Sequence, residues 1–462
     1  MNQILISFIL YFSALLMIGF YFYKKNRTEQ SFLIANRSLN YWVTAIAAQT
    51  SDMGSWLFLG YPAVVFSNGL IESWTAISLV LFMYLNWKFI APKIRRETEK
   101  YKCLTLSDYF SKKVGDVSGT IGFLSALISI YFFTLYLCSG FVGLGRLFEP
   151  AFNISFYNGV IIGTVVTVAY ILVGGFFAVA WCNLFQGIFL LAMIILVPAA
   201  ALYNLGGIST IGPILHAKNI SLSLIPQTGS IFTIILLTFA WGLGYFGQPH
   251  ILVNFMSIKN EDEIGKATRV GMTWQILVLL AATAIGIIGI AYFNEISINP
   301  EHVFVNMVRD LFPDIIAGFA LCAILAAALS TINTQLVVSA GSFAQDIYPK
   351  LTGQQISNKK QMLITRLATI IIALIAMLIS FANTTTIYNL VYYAWAGLGS
   401  AFGPLLISCL YAKSITKAAA ISGLLTGTIL AAIWPFLNLP IPTLVVGFFG
   451  SLLTILIVNK IR

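Results

Sequence analysis

Apolar runs of about twenty residues, separated by short polar stretches, recur along the whole chain. A run of that length spans the hydrocarbon layer as a helix, so the pattern predicts thirteen membrane helices. They fall at 3–23, 40–66, 69–91, 118–147, 156–175, 178–204, 229–255, 270–293, 313–344, 363–381, 385–411, 415–435 and 441–459. The expected fold class is an all-α polytopic membrane protein, with residues 1–462 as one integral transporter domain and no linker or appended soluble domain. The first run shows no small-residue cleavage site and is followed by further spans, so it reads as a retained helix. Between 88 and 117 the stretch "PKIRRETEKYKCLTLSDYF" predicts a short amphipathic piece lying on the membrane surface.

Two of the runs break their own pattern. The second contains "TSDMGS" and the seventh contains "WGLGYFGQPH", with Gly242, Gly244, Gly247 and Pro249 close together. Glycine weakens a helix and proline removes an amide donor, so both spans are expected to break near mid-membrane and expose backbone polar groups. Such backbone is tolerated at that depth only where it is buried in protein or lines a cavity. The seventh span starts an odd number of spans after the second and therefore enters from the opposite side. That spacing predicts a five-plus-five inverted-repeat core, 40–204 and 229–411, with 3–23 as a peripheral helix and 415–459 as two C-terminal helices.

Composition supports this reading. The chain is 59% hydrophobic and 9% charged, with a mean hydropathy of +0.89, outside the range of soluble domains. All but three of its 26 Lys and Arg fall in alternate connections, and only Arg146, Lys218 and Arg309 fall in the others. Positively charged short loops stay cytoplasmic, so the N-terminus is expected outside and the C-terminus in the cytoplasm. The net charge of +10 is then loop charge facing an anionic leaflet, with no call for nucleic acid. Cys103, Cys138, Cys182, Cys322 and Cys409 show no metal-like spacing and read as small buried hydrophobes. No phosphate loop or nucleophile elbow is present, so neither ATP hydrolysis nor any other enzyme activity is expected.

Asp52 is the carboxylate that falls well inside a span, at a cost of at least about 2.5 kcal/mol. It reads either as an acceptor that caps the broken helix half or as a cation-coupling group. In the ninth span "ILAAALSTINTQL" places Ala327, Ser330, Thr331 and Thr334 within about one turn, hard oxygen donors suited to an alkali cation. Taken alone, such hydroxyls bond back to the preceding turn. Trp241, Tyr245 and Pro249 recur every four residues, either as a packing stripe or as the wall of a solute pocket, and Tyr136 is a further wall residue. His250 lies in the broken stretch and reads as structural or as a proton site, and the three histidines show no zinc spacing. A passive channel would show a continuous polar stripe, whereas the polar residues here cluster at two breaks and one turn.

The stretches "NRSLN", "SDMGSWLFLGYPAVVF", "WGLGYFGQPHIL", "AILAAALSTINTQLVVSA" and "YAWAGLGSAFGP" resemble, in order and spacing, the specific segments of the sodium/solute symporter family. The resemblance runs over essentially the whole length. It implies a thirteen-helix protein of the bacterial inner membrane that carries L-proline inward with Na⁺. It further implies that Na⁺ is held by backbone oxygens of Thr50, Met53 and Ala327 with the hydroxyls of Ser330 and Thr331. By the same analogy Asp52 and Arg37 serve coupling, and Gly54, Ser55, Tyr136, Trp241, Tyr245 and Pro249 form the solute pocket. The chain departs from the family pattern at three points: Gly54-Ser55 stands where Ser-Gly is usual, Thr50 where alanine is usual, and Asn183, after Trp181, where aspartate is usual. The Gly54-Ser55 order leaves a symporter of the same fold for another amino acid, pantothenate or an acidic sugar as the alternative.

Overall fold

The computed structural model describes residues 3–23, 29–218, 220–225, 231–293, 298–353, 357–382 and 385–461. Lys24, Lys25, Arg27 and Arg462 of the topology count lie outside the described residues, as does the side chain of Lys359. The described residues are helical, with no β-strand beyond one isolated bridge, Leu39 with Ile258.

In chain order the main helices are α1 (Gln3–Tyr23), α2 (Tyr41–Thr50), α3 (Gly60–Asn68), α4 (Ser73–Leu85), α5 (Ala91–Lys100), α6 (Leu106–Val114), α7 (Thr120–Phe152) and α8 (Phe156–Asn204). They continue with α9 (Ile231–Gly242), α10 (Pro249–Ser257), α11 (Ile264–Tyr292), α12 (Asp314–Ser342), α13 (Asn358–Ser380), α14 (Ile387–Tyr411), α15 (Lys417–Ile433) and α16 (Thr443–Ile461). Helix starts carry the expected caps. Asn40, Thr105, Ser155, Thr386 and Thr416 each accept a bond from a backbone N–H of the first turn, which relieves an orphan donor.

Nine helical stretches among the described residues are long and apolar enough to cross a membrane. The expected runs that fall short have physical reasons. The second is divided into α2 and α3, and the seventh into α9 and α10. The fifth and sixth meet within α8 at Gly175, where φ is +59° and ψ is 179°, a non-helical backbone that favours glycine, divides α8 into two helices and leaves the fifth, Phe156–Ala169, short. Within 88–117, α5 continues the third span as far as Lys100, and α6 is a separate short helix.

The centre of the bundle is α12. Of its most apolar window 83% is buried, against 28% for each of the windows of α15 and α16, which therefore lie at the periphery. Small residues along α12 let its neighbours approach closely. A Cβ placed on Gly318 would lie 2.7 Å from Ser7 of α1, and Ile332 lies equally close to the position of a Cβ on Gly140 of α7. Helix α1 is further tied down by the Ser7 hydroxyl, which donates to the Ile315 carbonyl at 2.8 Å.

The bridge at Leu39 and Ile258 joins the residues just before α2 to those just after α10, with the Leu39 and Lys259 N–H groups donating to Ser257 and Leu39 carbonyls. The entry of one broken span therefore sits beside the exit of the other, and the two run in opposite directions. Lysines and arginines of several loops gather at this end. Arg95 donates to the Ile258 carbonyl at 2.7 Å, Arg96 pairs with Glu261, Lys113 with Glu97, and Lys417 with Asp116 at 2.7 Å. Arg146, in contrast, pairs with Glu301 near the far ends of α3 and α7, and Lys218 bonds the Ile290 and Phe293 carbonyls.

Candidate functional site

The first break exposes backbone where α2 stops. After Thr50 the chain turns through Ser51 and Asp52, runs extended at Gly54 (φ −73°, ψ −160°), and resumes through a 3-10 turn at Ser55–Leu57. The Thr50 carbonyl, freed from the helix ladder, accepts from the Ser330 hydroxyl at 2.9 Å and the Thr331 hydroxyl at 3.1 Å. Ser330 also reaches the Ala327 carbonyl at 2.9 Å. Four of the five residues expected to hold a cation thus converge on one spot, all of them buried. The fifth, Met53, is buried in the turn, its N–H bonded to the Gln49 carbonyl at 3.0 Å. A set of hard neutral oxygens two residues from a carboxylate in the chain suits an alkali cation, whose coordination would take the place of the hydroxyl hydrogen bonds now made to the Thr50 carbonyl.

Asp52 is 1% exposed, and among the described residues it has no ion pair. Its carboxylate Oδ2 accepts from the Tyr245 hydroxyl at 2.6 Å, and Gln275 donates to that hydroxyl at 2.9 Å. The Asp52 carbonyl takes the Trp56 indole N–H at 3.0 Å and the Tyr136 hydroxyl at 3.4 Å. The two breaks are therefore joined by a hydrogen-bonded relay in which Asp52 is the acceptor.

The second break supplies rings. Trp241 ends α9, Tyr245 lies in the 3-10 turn Leu243–Gly247, and Gln248 is extended before Pro249 opens α10. The four-residue spacing consequently does not produce one continuous face. Trp241 stacks on Trp56 (5.9 Å, 20°), donates to the Tyr388 hydroxyl at 2.9 Å, and offers its carbonyl to the Trp395 N–H at 2.8 Å. Gly244 is required here: a Cβ would lie 2.0 Å from the Trp395 ring nitrogen. Pro249 lies elsewhere, lining a cavity of about 20 Å³ with Met256 and Leu104 beside Arg37. The His250 ring packs edge-on against Phe133 and Tyr136, and its nitrogens have no hydrogen-bond partner among the described residues.

Gly54, Ser55, Trp56, Tyr136, Thr331 and Gln335 line a central cavity of about 10 Å³, room for about one water. A solute therefore enters only if these walls separate. A larger space of about 410 Å³, lined by Arg146, Glu301 and Tyr388, opens on the other side of the Trp56–Trp241–Tyr388 cluster. Arg37 sits at the opposite end, donating to Met256, Thr98 and Cys103 carbonyls at 2.6 to 2.9 Å. It follows Ala35 and Asn36 in a run of three positive-φ residues, a strained segment held by those bonds. Burial and the neighbouring Arg95 pull the Arg37 guanidinium down to about 10, so it stays charged at neutral pH.

Sequence reasoning missed Trp56, Gln275, Tyr388 and Trp395 as site members. Gln275 had a signal, being a carboxamide in an apolar span. The aromatic residues had none, because rings are common in any membrane helix. Asn183, at the position where the family pattern has aspartate, is buried and donates to the Thr334 hydroxyl at 3.1 Å.

An all-helical polytopic bundle with two oppositely directed broken helices and a closed polar centre is the architecture of a membrane transporter. Comparison with known proteins makes this specific. The profile of the sodium:solute symporter family matches residues 32–427, and the chain belongs to that family. It is 39% identical over 475 aligned residues to sodium/proline symporter 2 of Staphylococcus saprophyticus subsp. saprophyticus, covering 99% of this chain and 93% of the relative. It is equally similar to a sodium/proline symporter of Staphylococcus aureus, over 94% and 86% of the two chains. Among solved structures, a Na⁺-coupled sialic acid symporter in a substrate-bound outward-open state superposes with a TM-score of 0.86 at 17% identity, covering 100% and 98% of the two chains. MhsT, solved in complex with L-phenylalanine, gives 0.56 at 16% identity over 90% and 97%. The chain is thus a multi-pass membrane protein and a sodium-coupled symporter of small solutes.

Proposed function

We propose that the protein imports L-proline with Na⁺ across a bacterial inner membrane by alternating access, with the N-terminus outside and the C-terminus in the cytoplasm. The observation that carries this is the convergence of Thr50, Ala327, Ser330 and Thr331 next to an Asp52 bonded to Tyr245 of the other broken helix. The broken spans of the two repeats, 40–204 and 229–411, belong to the bundle that rocks inward. Na⁺ binds at the Thr50, Met53, Ala327, Ser330 and Thr331 oxygens and is attracted by the Asp52 charge. Binding there removes the hydroxyl bonds to Thr50 and fixes α2 against α12. Proline occupies the space that opens between Gly54, Ser55 and Tyr136 on one side and Trp241 and Tyr245 on the other. The apolar ring of the solute suits this aromatic wall. Arg37 and Pro249 act at the opposite end, where release takes place. The high identity to two sodium/proline symporters supports this choice of solute, while the Gly54-Ser55 order keeps another small solute as the second reading.

Each charge carried inward down 100 mV supplies about 2.3 kcal/mol, enough for a roughly fiftyfold gradient of a neutral solute. The test is uptake of radiolabelled L-proline into proteoliposomes under an inward Na⁺ gradient, with a K⁺-only control. Concentrative, Na⁺-dependent uptake is expected. Sodium binding without proline uptake would move the assignment to another solute, and uptake indifferent to Na⁺ would overturn the coupling.

A further inference from the structure

A slot between α2, α8 and α11 plays no part in the transport reading. It encloses about 380 Å³, within the range of small-ligand sites, and opens at the Lys/Arg-rich end of the bundle. Its walls are Trp42 and Ile46 of α2, Ile188 and Leu191 of α8, and Trp274 and Leu277 of α11. Trp42 is 51% and Ile188 59% exposed, so this face of the protein is turned to the membrane. One cation stands on the lining, Arg269, in the first turns of α11. Among the described residues Arg269 has neither an ion pair nor a hydrogen bond. The acidic groups before α11 do not neutralise it: Glu261 is engaged by Arg96, and Asp262 and Glu263 form no ion pair with it.

An apolar slot with an unpaired guanidinium at its mouth complements a molecule that has a hydrocarbon chain and an anionic head. Basic pockets between membrane helices hold anionic lipid head groups on this principle. A guanidinium also matches the phosphate oxygens in planar, paired hydrogen bonds. We propose that the slot is a binding site for an anionic phospholipid, with the phosphate on Arg269 and an acyl chain along Trp42, Ile46, Ile188 and Leu277. An interfacial tryptophan such as Trp42 places the slot mouth at head-group level.

The slot backs onto the helix that carries Thr50. Trp274 donates its indole N–H to the Gly187 carbonyl at 2.9 Å. A Cβ on Gly187 would lie 2.3 Å from Ile46 and 2.7 Å from Thr50. A bound acyl chain would therefore lie along the outside of the closely packed seam where α2, α8 and α11 meet.

The test is native mass spectrometry of the delipidated full-length protein in an uncharged detergent, titrated with phosphatidylglycerol and, separately, phosphatidylcholine. It reads lipid binding alone, so failure of the transport assignment does not affect it. The wild type is expected to bind phosphatidylglycerol several-fold more tightly than phosphatidylcholine. Arg269→Gln is expected to lose about fivefold in that preference, the worth of one interfacial cation. Lys102→Gln, at the same end but away from the slot, should keep the preference. Ile188→Trp, which fills the slot, should weaken both lipids. Equal binding of phosphatidylglycerol by Arg269→Gln and wild type, equal loss in Lys102→Gln, or unchanged binding in Ile188→Trp would each overturn the proposal.

Discussion

The two broken spans carry opposite chemistry. The break between α2 and α3 is polar, with a freed Thr50 carbonyl, the Asp52 carboxylate and a hydroxyl-bearing partner on α12. The break between α9 and α10 is made of glycines and rings, and its polar groups turn outward to Asp52, Tyr388 and Trp395. A break in a membrane helix is therefore not one device. Freed carbonyls met by hydroxyls gather hard oxygens of the kind an alkali cation accepts, whereas freed backbone packed against indoles makes a shaped wall.

The largest effect expected follows from removing the charge at the first break. Asp52→Asn should keep the Tyr245 bond but lose the attraction for a cation, lowering proline uptake at limiting Na⁺ by roughly a hundredfold. A variant that still shows wild-type sodium dependence would erase the distinction between the breaks.

Next comes a paired glycine test. A Cβ on Gly244 would meet Trp395 at 2.0 Å, whereas on Gly54 it would meet the Thr331 hydroxyl at 3.2 Å. Gly244→Ala should cost about 1–3 kcal/mol as overpacking, seen as a clear drop in melting temperature in detergent, while Gly54→Ala should shift it much less and instead alter solute KM. Equal shifts in melting temperature would show that the second break is packed no more tightly than the first.

Smaller again is the loss of one hydroxyl. Thr331→Ala removes one bond to Thr50 and should raise the Na⁺ concentration for half-maximal uptake about five- to tenfold, with solute KM at saturating Na⁺ little changed. An equal change in both constants would mean that the two breaks do not divide the labour.

The smallest effect lies away from both breaks and sets the baseline. Burial pushes the Asp116 carboxyl up, but Lys417, the Ile121 N–H and Ser118 outweigh it and hold it at about 2. Because the folded value lies below the ordinary one, its stabilisation is complete above about pH 4 and fades as pH falls toward 2. Lys417→Met should lower the melting temperature at neutral pH modestly, because Lys417 is half-exposed while the buried Asp116 carboxylate keeps its bonds from the Ile121 N–H and the Ser118 hydroxyl. The wild-type advantage should shrink between pH 4 and 2.

Much of the fold was legible because the membrane imposes a simple rule: a run that buries no polar group must be helical and about twenty residues long. That rule located the long apolar helices, and the glycines, proline and aspartate marked both breaks. It could not show that α5 prolongs the third span, because an amphipathic helix end and a surface helix have the same periodicity. Nor could it place Pro249, since equal spacing implies a shared face only while the helix continues, and the chain is extended at Gln248.

The sequence by itself determined the solvent of the fold, the all-helical class, the positions of the two breaks and the residue types suited to a cation, since each follows from local composition and spacing. Only the tertiary structure decided that the Thr50 carbonyl faces Ser330 and Thr331 across some 280 residues, that Tyr245 closes on Asp52, and that Trp56, Tyr388 and Trp395 complete the wall. Those contacts join helices distant in the chain, and the packing of small residues along α12 that brings them together has no local signature.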